Sequence, residues 1–126
     1  MGAVWRTVLT GVCVLSLSAL AGASELSIKG AGKFERKTVK YQCDANAATM
    51  GLPAGVFEVE YLNETNNHLA VVPVKGSSKI FVTVPSGSGA KYAADQFVWW
   101  EAGGRGTTFQ SAFPGTEGSS ACKTVQ

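Results

Sequence analysis

The sequence holds few side chains that could act as an acid, a base or a nucleophile, and they are scattered. His68 is the only histidine, and it follows two asparagines in a polar stretch that predicts a surface turn. Glu58 and Glu60 are two residues apart, so a strand places both carboxylates on one face. Their alternation with apolar residues indicates the solvated side of that strand. Because no acid–base set emerges, we expect a binding protein and not an enzyme.

A second candidate for chemistry is the segment at residues 85–89, which has the sequence PSGSG. A nucleophilic serine on a strand-to-helix elbow, or a phosphate-binding loop, requires a helix directly after the glycines. Here Ala90-Lys91-Tyr92 follows and leads into another strand-like run. The segment therefore predicts a hairpin loop rather than a nucleophile or a phosphate site.

The composition excludes two further classes of function. One histidine and three cysteines give little material for a metal centre, so we expect neither a metal nor a cofactor. Lys plus Arg number 11 and Asp plus Glu number 9, which gives a formal net charge of +2. A nucleic-acid-binding domain carries clustered basic residues, so this balance predicts no nucleic-acid partner.

The N-terminus has the organisation of a cleaved secretory signal peptide, which we assign to residues 1–23. Arg6 precedes an apolar stretch from Val8 to Leu20, and Ala21-Gly22-Ala23 offers the small residues of a cleavage site. The apolar stretch is too short to cross a bilayer as a helix. Cys13 follows the branched Val12, where a lipoprotein signal has a small residue, so no membrane anchor is expected in the mature form.

Cys43 and Cys122 remain after cleavage. An even pair of cysteines in an exported protein predicts one disulfide, with two unpaired thiols as the alternative. A disulfide that closes this loop of 79 positions contributes about 4 kcal/mol to the free energy of unfolding in the chain-entropy account. It would tie the start of the domain to its end.

We divide the remaining chain into a flexible leader at residues 24–36 and one β-domain at residues 37–126. The domain alternates short strand-like runs with turn residues at a spacing of about ten residues, a pattern typical of an antiparallel barrel or sandwich. Only residues 46–50 favour a short helical turn. The runs are 38–43, 56–62, 69–74, 79–84, 91–92, 97–101 and 107–110, and the chain then leads to Cys122. Adjacent Trp99 and Trp100 must face opposite sides of their strand, one in the core and one at the surface.

Several motifs occur in one order that resembles a known family. They are Tyr41-Gln42-Cys43-Asp44, Ser88-Gly89-Ala90-Lys91-Tyr92, Phe97-Val98-Trp99-Trp100, Gly103 and the near-terminal Cys122. Together they resemble the bacterial inhibitors of c-type lysozyme, the MliC/PliC family, over residues 38–122. The resemblance implies an all-β fold, a small antiparallel eight-stranded β-barrel with one disulfide. The signal-peptidase residues make the chain similar to the periplasmic, PliC-like branch, so we expect a periplasmic location.

The resemblance also implies a binding surface for the lysozyme of a host. In the family the Ser-Gly-Ala-Lys/Arg-Tyr loop enters the substrate cleft, and Ser88 is then the residue that hydrogen-bonds the catalytic carboxylates. The implied lysozyme-binding residues are the loop, its flanks and the turn after the aromatic run: Ser86, Gly87, Ser88, Gly89, Ala90, Lys91, Tyr92, Trp100, Ala102, Gly103 and Arg105.

One position departs from the family pattern. The family commonly has Trp-x-Lys-Gly after the aromatic run, and that lysine also reaches the lysozyme active site, whereas this chain has Ala102 there. Lys91 and Arg105 are the two candidates for the missing cation, although neither occupies the matching position. The departure also supports an alternative hypothesis, a non-catalytic envelope module on the same barrel that recognises another protein or a glycan. Valine-rich strands and adjacent aromatics are compatible with a homodimer.

Overall fold

The computed structural model describes residues 2–3, 11, 25–113 and 118–126. The predicted signal peptide at residues 1–23 lies outside the described residues except at positions 2, 3 and 11, and it stays a prediction. The elements are β1 Glu35–Cys43, α1 Asn46–Thr49, β2 Phe57–Asn63, β3 His68–Val74, β4 Ser77–Val84, β5 Ala90–Ala94, β6 Phe97–Glu101, a 3-10 turn Gly103–Arg105, β7 Thr107–Ser111 and β8 Ser119–Thr124.

The eight strands form a closed antiparallel barrel in sequence order, with β1 paired to both β2 and β8. This confirms the all-β class, the strand number and the barrel, and it decides between the barrel and the sandwich. Closure gives every strand two neighbours, although β1 pairs with β8 only over residues 41–43. The Cys43–Cys122 disulfide is present and joins two residues directly opposite each other on β1 and β8.

Aromatic side chains fill the barrel interior. Trp99 is fully buried, and its ring packs edge-on against the Tyr41 ring with 5.0 Å between centroids. Phe109 is also fully buried and stacks on Phe97 with centroids 5.0 Å apart. The period of two along β6 places Trp99 inside and leaves Trp100 half-buried on the outer face, as the sequence predicted.

The segment before the barrel contacts it. β1 begins at Glu35, so the last two residues of the segment expected to be a flexible leader are strand. Earlier in that segment, the backbone N–H of Gly32 donates to the Glu64 carboxylate at 3.2 Å. Leu26 and Phe34 lie beside the outward-facing Leu62, which is only 6% exposed. The segment before the barrel therefore lies near Leu62 on the outer barrel face.

Other apolar side chains on the outer face stay exposed. Ile80 and Val82 of β4 are 54% and 50% exposed. The homodimer considered from the sequence stays a prediction.

Asp44 connects the end of β1 to β8. Its carboxylate accepts hydrogen bonds from the Ala121 N–H at 2.9 Å, the Ser120 hydroxyl at 2.7 Å and the Asn46 N–H at 3.1 Å. These bonds, the one from Ala121 first, lower the pKa of Asp44 below its ordinary value. Because the pKa is lower in the folded state than in the unfolded chain, the stabilisation is present above the unfolded value and is lost as the pH falls through the folded one.

We therefore expect Asp44→Asn to lower the unfolding temperature at pH 7, with the difference from the wild type shrinking as the pH falls below about 4. Thermal unfolding followed by circular dichroism from pH 2.5 to pH 7 measures this. Glu58→Gln, which changes an exposed carboxylate on β2, is the control. A constant difference between Asp44→Asn and the wild type across this range would contradict the assignment.

Candidate functional site

The up-and-down topology gathers three loops at one end of the barrel. The β2–β3 turn, the β4–β5 loop at residues 85–89 and the β6–β7 turn at residues 102–106 all follow strands that run in the same direction. We call residues 85–89 the Ser88 loop, and all five are exposed. It projects next to the β6–β7 turn, so segments that are distant in sequence form one surface.

Hydrogen bonds within the Ser88 loop define its shape. The Ser86 hydroxyl lies 3.1 Å from the carbonyl oxygens of both Ser88 and Gly89, to which it can donate. A side-chain hydroxyl that bonds the backbone two and three residues on is typical of a tight turn. Ser86 therefore has a structural part in the loop, while Ser88 lies at its exposed face.

Gly89 is required by the backbone. Its φ is +63°, in the left-handed region that favours glycine. A Cβ at this position would lie only 1.7 Å from the carbonyl oxygen of Glu101, at the end of β6. The loop thus leans directly on the β6 backbone, which no residue with a side chain would permit.

Trp100 supports the loop from the outer face of β6. Its indole N–H donates to the Ser88 carbonyl at 3.0 Å. The ammonium of Lys91 lies 4.5 Å from the centre of the Trp100 ring, a cation–π distance. Trp100 therefore connects β5, β6 and the Ser88 loop.

Arg105 reaches Ser88 from the β6–β7 turn. Its guanidinium Nη2 donates to the Ser88 hydroxyl oxygen at 3.1 Å, and both residues are exposed. Because Ser88 Oγ accepts this bond, the hydroxyl keeps its own hydrogen for donation to an outside acceptor. A cation and a hydroxyl donor thus stand side by side at the exposed end of the barrel.

Two residues from the predicted binding set are buried. Tyr92 is 5% exposed, faces the barrel interior and packs against Tyr61 with ring centroids 5.8 Å apart. The period of two along β5 turns Tyr92 inward while Lys91 faces outward, so the expected contact between Tyr92 and a lysozyme stays a prediction. Ala102 is 9% exposed, and its N–H donates to the Gly106 carbonyl at 2.9 Å.

The other predicted residues lie together at the loop end. Ala90 and Lys91 begin β5, and Gly103 opens the exposed 3-10 turn that carries Arg105. Gly103 has a φ of +65° and Gly106 has a φ of +83°. Because both glycines adopt left-handed backbone conformations, the chain turns tightly on either side of Arg105. Lys91 is held over Trp100, whereas Arg105 is the cation that bonds Ser88.

Sequence reasoning missed a polar cluster inside the barrel beneath this surface. The Glu101 carboxylate accepts hydrogen bonds from the hydroxyls of Tyr41 at 2.6 Å and Tyr61 at 2.7 Å. The two hydroxyl oxygens are 2.8 Å apart, and the Trp99 indole N–H donates to that of Tyr61 at 2.9 Å. The only sequence signal was the inward position of Glu101, two residues after Trp99 on the same strand.

Burial maintains the tyrosines as donors. Desolvation, and after it the hydrogen bond to Glu101, raise the pKa of Tyr41 above its ordinary value. Desolvation and the contact with Tyr41 raise the pKa of Tyr61 further. Both hydroxyls therefore remain protonated at any physiological pH and donate to the carboxylate.

The surface at the loop end is an exposed projection and not a pocket. Within residues 25–113 and 118–126, no group of three or more His, Cys, Asp or Glu side chains is arranged to hold a metal ion. A pocket of about 590 Å³ opens at the opposite end, where Met50, Lys75 and Phe97 are among its lining residues. The Ser88 loop is instead an exposed projection with donors at its tip, a shape that fits a concave partner carrying acceptor groups.

Among the described residues, no helix combines the length and apolar character needed to cross a membrane.

Comparisons with known proteins give a consistent result. A family model described as "Membrane-bound lysozyme-inhibitor of c-type lysozyme" (MliC) matches residues 41–112. A protein from Pseudomonas aeruginosa named membrane-bound lysozyme inhibitor of C-type lysozyme is 40% identical over 85 residues, which are 67% of this chain and 61% of that protein. One of the same name from Cupriavidus necator is 34% identical over 71 residues, 56% of this chain and 50% of that protein. The chain thus matches between half and about three fifths of the length of these relatives.

A solved structure is similar as well. Pseudomonas aeruginosa MliC, crystallised in complex with hen egg white lysozyme, aligns with a TM-score of 0.59 and 36% sequence identity. The alignment covers 83% of this chain and 98% of that one.

Proposed function

This chain belongs to the family of membrane-bound lysozyme inhibitors of c-type lysozyme, and on that basis we propose that it inhibits a c-type lysozyme by inserting the Ser88 loop into the active-site cleft. The family is one of inhibitors, so a binding function without catalysis is expected. The observation that carries the proposal is the exposed Ser88 hydroxyl with the Arg105 guanidinium bonded to it. A relative of known structure was crystallised with hen egg white lysozyme, which supports this class of partner.

The chemistry of the cleft fits this surface. A c-type lysozyme cleaves its substrate with two carboxyl groups, one protonated and one ionised. The Ser88 hydroxyl can donate its hydrogen to the ionised carboxylate, and the Arg105 guanidinium supplies further donors and a positive charge. Occupation of the gap between the carboxyls excludes the sugar and requires no reaction by the inhibitor.

We propose a periplasmic location as part of this function, since the predicted signal peptide at residues 1–23 would direct export. There the inhibitor would protect peptidoglycan from the lysozyme of a host. The Cys43–Cys122 disulfide is compatible with an oxidising compartment.

A second candidate function is recognition of a different envelope protein or a glycan by the same surface. The observation that favours it is Ala102, a buried alanine where the family commonly has a lysine. Capture of a different envelope component by the immobilised protein, with no retention of a c-type lysozyme, would support this candidate over the first.

Ser88→Ala tests the proposed mechanism. We expect at least a tenfold weaker inhibition of a c-type lysozyme, about 1.4 kcal/mol, because a hydrogen bond to a charged group is lost from a desolvated contact. The measurement is the rate at which the lysozyme clears a cell-wall suspension across a range of inhibitor concentrations. The unfolding temperature should not change, because Ser88 is exposed.

Ser78→Ala is the matched control, since Ser78 is an exposed serine at the opposite end of β4. It should inhibit as the wild type does. Equal inhibition by Ser88→Ala and Ser78→Ala would contradict the assignment of the Ser88 loop.

A further inference from the structure

Glu101 links the interior of the barrel to the proposed binding surface. Its side chain enters the barrel, where the hydroxyls of Tyr41 and Tyr61 donate to one carboxylate oxygen. These tyrosines belong to β1 and β2, whereas Glu101 ends β6. The carboxylate therefore fixes the end of β6 to strands that are not its neighbours in the barrel.

The backbone of Glu101 contacts the Ser88 loop directly. Its carbonyl oxygen occupies the space that a Cβ on Gly89 would need. Glu101 is also paired with Ala90, the first residue after the loop. Movement of the end of β6 would consequently displace both the exit of the Ser88 loop and its closest support.

Glu101 also lies between the two side chains that bond Ser88. Trp100, the residue before it, donates to the Ser88 carbonyl, and Arg105 in the following turn donates to the Ser88 hydroxyl. The cross-strand partner of Glu101 on β7 is Thr107, directly after that turn. The position of Glu101 thus determines where the Trp100 and Arg105 side chains begin, and so whether both can reach Ser88.

We propose that Glu101 is a positioning residue for the Ser88 loop and Arg105, acting through its hydrogen bonds to Tyr41 and Tyr61. Its carboxylate is directed into the barrel towards Tyr41 and Tyr61, beneath the proposed binding surface. This inference rests on the proposed function for its effect on lysozyme binding, but the positioning is a property of the free protein. Charge-assisted hydrogen bonds from buried tyrosines are among the stronger ones in proteins, which suits a fixed anchor.

The alternative is that Glu101 only stabilises the core. Removal of its carboxylate would then lower the unfolding temperature but leave the loop end of the folded protein unchanged. Glu64 provides a matched comparison, because it is a carboxylate at the same end of the barrel that accepts hydrogen bonds from Asn66, Asn67 and Gly32. It makes no hydrogen bond to the Ser88 loop.

The test compares Glu101→Ala with Glu64→Ala at a temperature well below the unfolding of either variant. Hydrogen exchange is measured by NMR at the Ala102 and Gly106 amides, which are hydrogen-bonded within the β6–β7 turn. Affinity for a c-type lysozyme is measured by calorimetry.

We expect Glu101→Ala to speed exchange at the Ala102 and Gly106 amides at least tenfold and to weaken lysozyme binding at least tenfold, while Glu64→Ala does neither. Glu101→Gln retains an acceptor oxygen and should recover most of the protection.

A double-mutant cycle gives a readout that a core-only role would not move. If Glu101 acts by positioning Ser88, then Ser88→Ala weakens binding less in the Glu101→Ala protein than in the wild type. Should Glu101→Ala fail to fold, Tyr61→Phe removes one donor and is expected to speed exchange at the same amides in a folded barrel. The inference is overturned if these amides exchange at the wild-type rate in both Glu101→Ala and Tyr61→Phe. If Glu101→Ala does not fold, a wild-type rate in Tyr61→Phe overturns it. Absence of lysozyme binding by the wild type would overturn the proposed function alone, since the exchange result stands without a partner.

Discussion

Gly89→Ala is expected to weaken inhibition of a c-type lysozyme at least a hundredfold, which corresponds to about 2.7 kcal/mol of binding free energy. The added methyl group would lie 1.7 Å from the Glu101 carbonyl oxygen, so the backbone of the Ser88 loop has to move. The left-handed φ of Gly89 adds about 1–2 kcal/mol of strain to any other residue. The displaced loop then loses the bonds from Trp100 and Arg105. Turbidity loss of a cell-wall suspension measures the inhibition, and thermal unfolding measures the strain.

Gly87→Ala is the control for this change. A Cβ at Gly87 would meet no atom within 4 Å, and its φ is not positive. Gly87→Ala should therefore keep the wild-type unfolding temperature, while Gly89→Ala lowers it. Full inhibition by Gly89→Ala would show that the contact between the loop and β6 is not needed for the activity.

Arg105→Ala is expected to weaken inhibition about thirtyfold, or about 2 kcal/mol. Its guanidinium is the cation bonded to Ser88, so it would be desolvated beside the carboxyl groups of the cleft. Lys91→Ala should have a smaller effect, because the Lys91 ammonium is already placed over the Trp100 ring. Both variants are compared by their inhibition constants in the same turbidity assay.

Lys40→Ala controls for the loss of one positive charge. Lys40 is exposed on β1, on the opposite side of the barrel from β5. Wild-type inhibition is expected for this variant. We propose that Arg105 substitutes for the family lysine. A larger loss of inhibition for Lys91→Ala than for Arg105→Ala would assign that role to Lys91 instead.

The sequence predicted the parts of the fold that depend on local periodicity. Alternation with a period of two identified the strands, and adjacency of Trp99 and Trp100 predicted that one lies inside and one outside. The Cys43–Cys122 bridge followed from the even count of cysteines that remain after the predicted cleavage. The strand and tryptophan predictions depend on residues that are neighbours in sequence, and the disulfide prediction depends on two cysteines that have no other cysteine to pair with after that cleavage. None of them requires knowledge of the three-dimensional contacts.

The site was only partly predictable. Resemblance to a family predicted that the Ser88 loop binds a lysozyme, and it included Tyr92 in the binding set, although β5 turns that side chain inward. The bonds from Tyr41 and Tyr61 to Glu101 join residues 60 and 40 positions apart, and no local pattern indicates such pairs. The proposed preference for Arg105 over Lys91 likewise rests on the geometry of a turn, since the sequence offers both cations equally.

The central claim is that this chain inhibits a c-type lysozyme. The most direct measurement is the clearing of a bacterial cell-wall suspension by a c-type lysozyme in the presence of purified, oxidised residues 24–126 at increasing concentration. We expect inhibition to be complete near one inhibitor per lysozyme, which would show that Ala102 is compensated by other contacts. Full lysozyme activity in a large excess of the folded protein would contradict the claim and favour another envelope partner for the same surface.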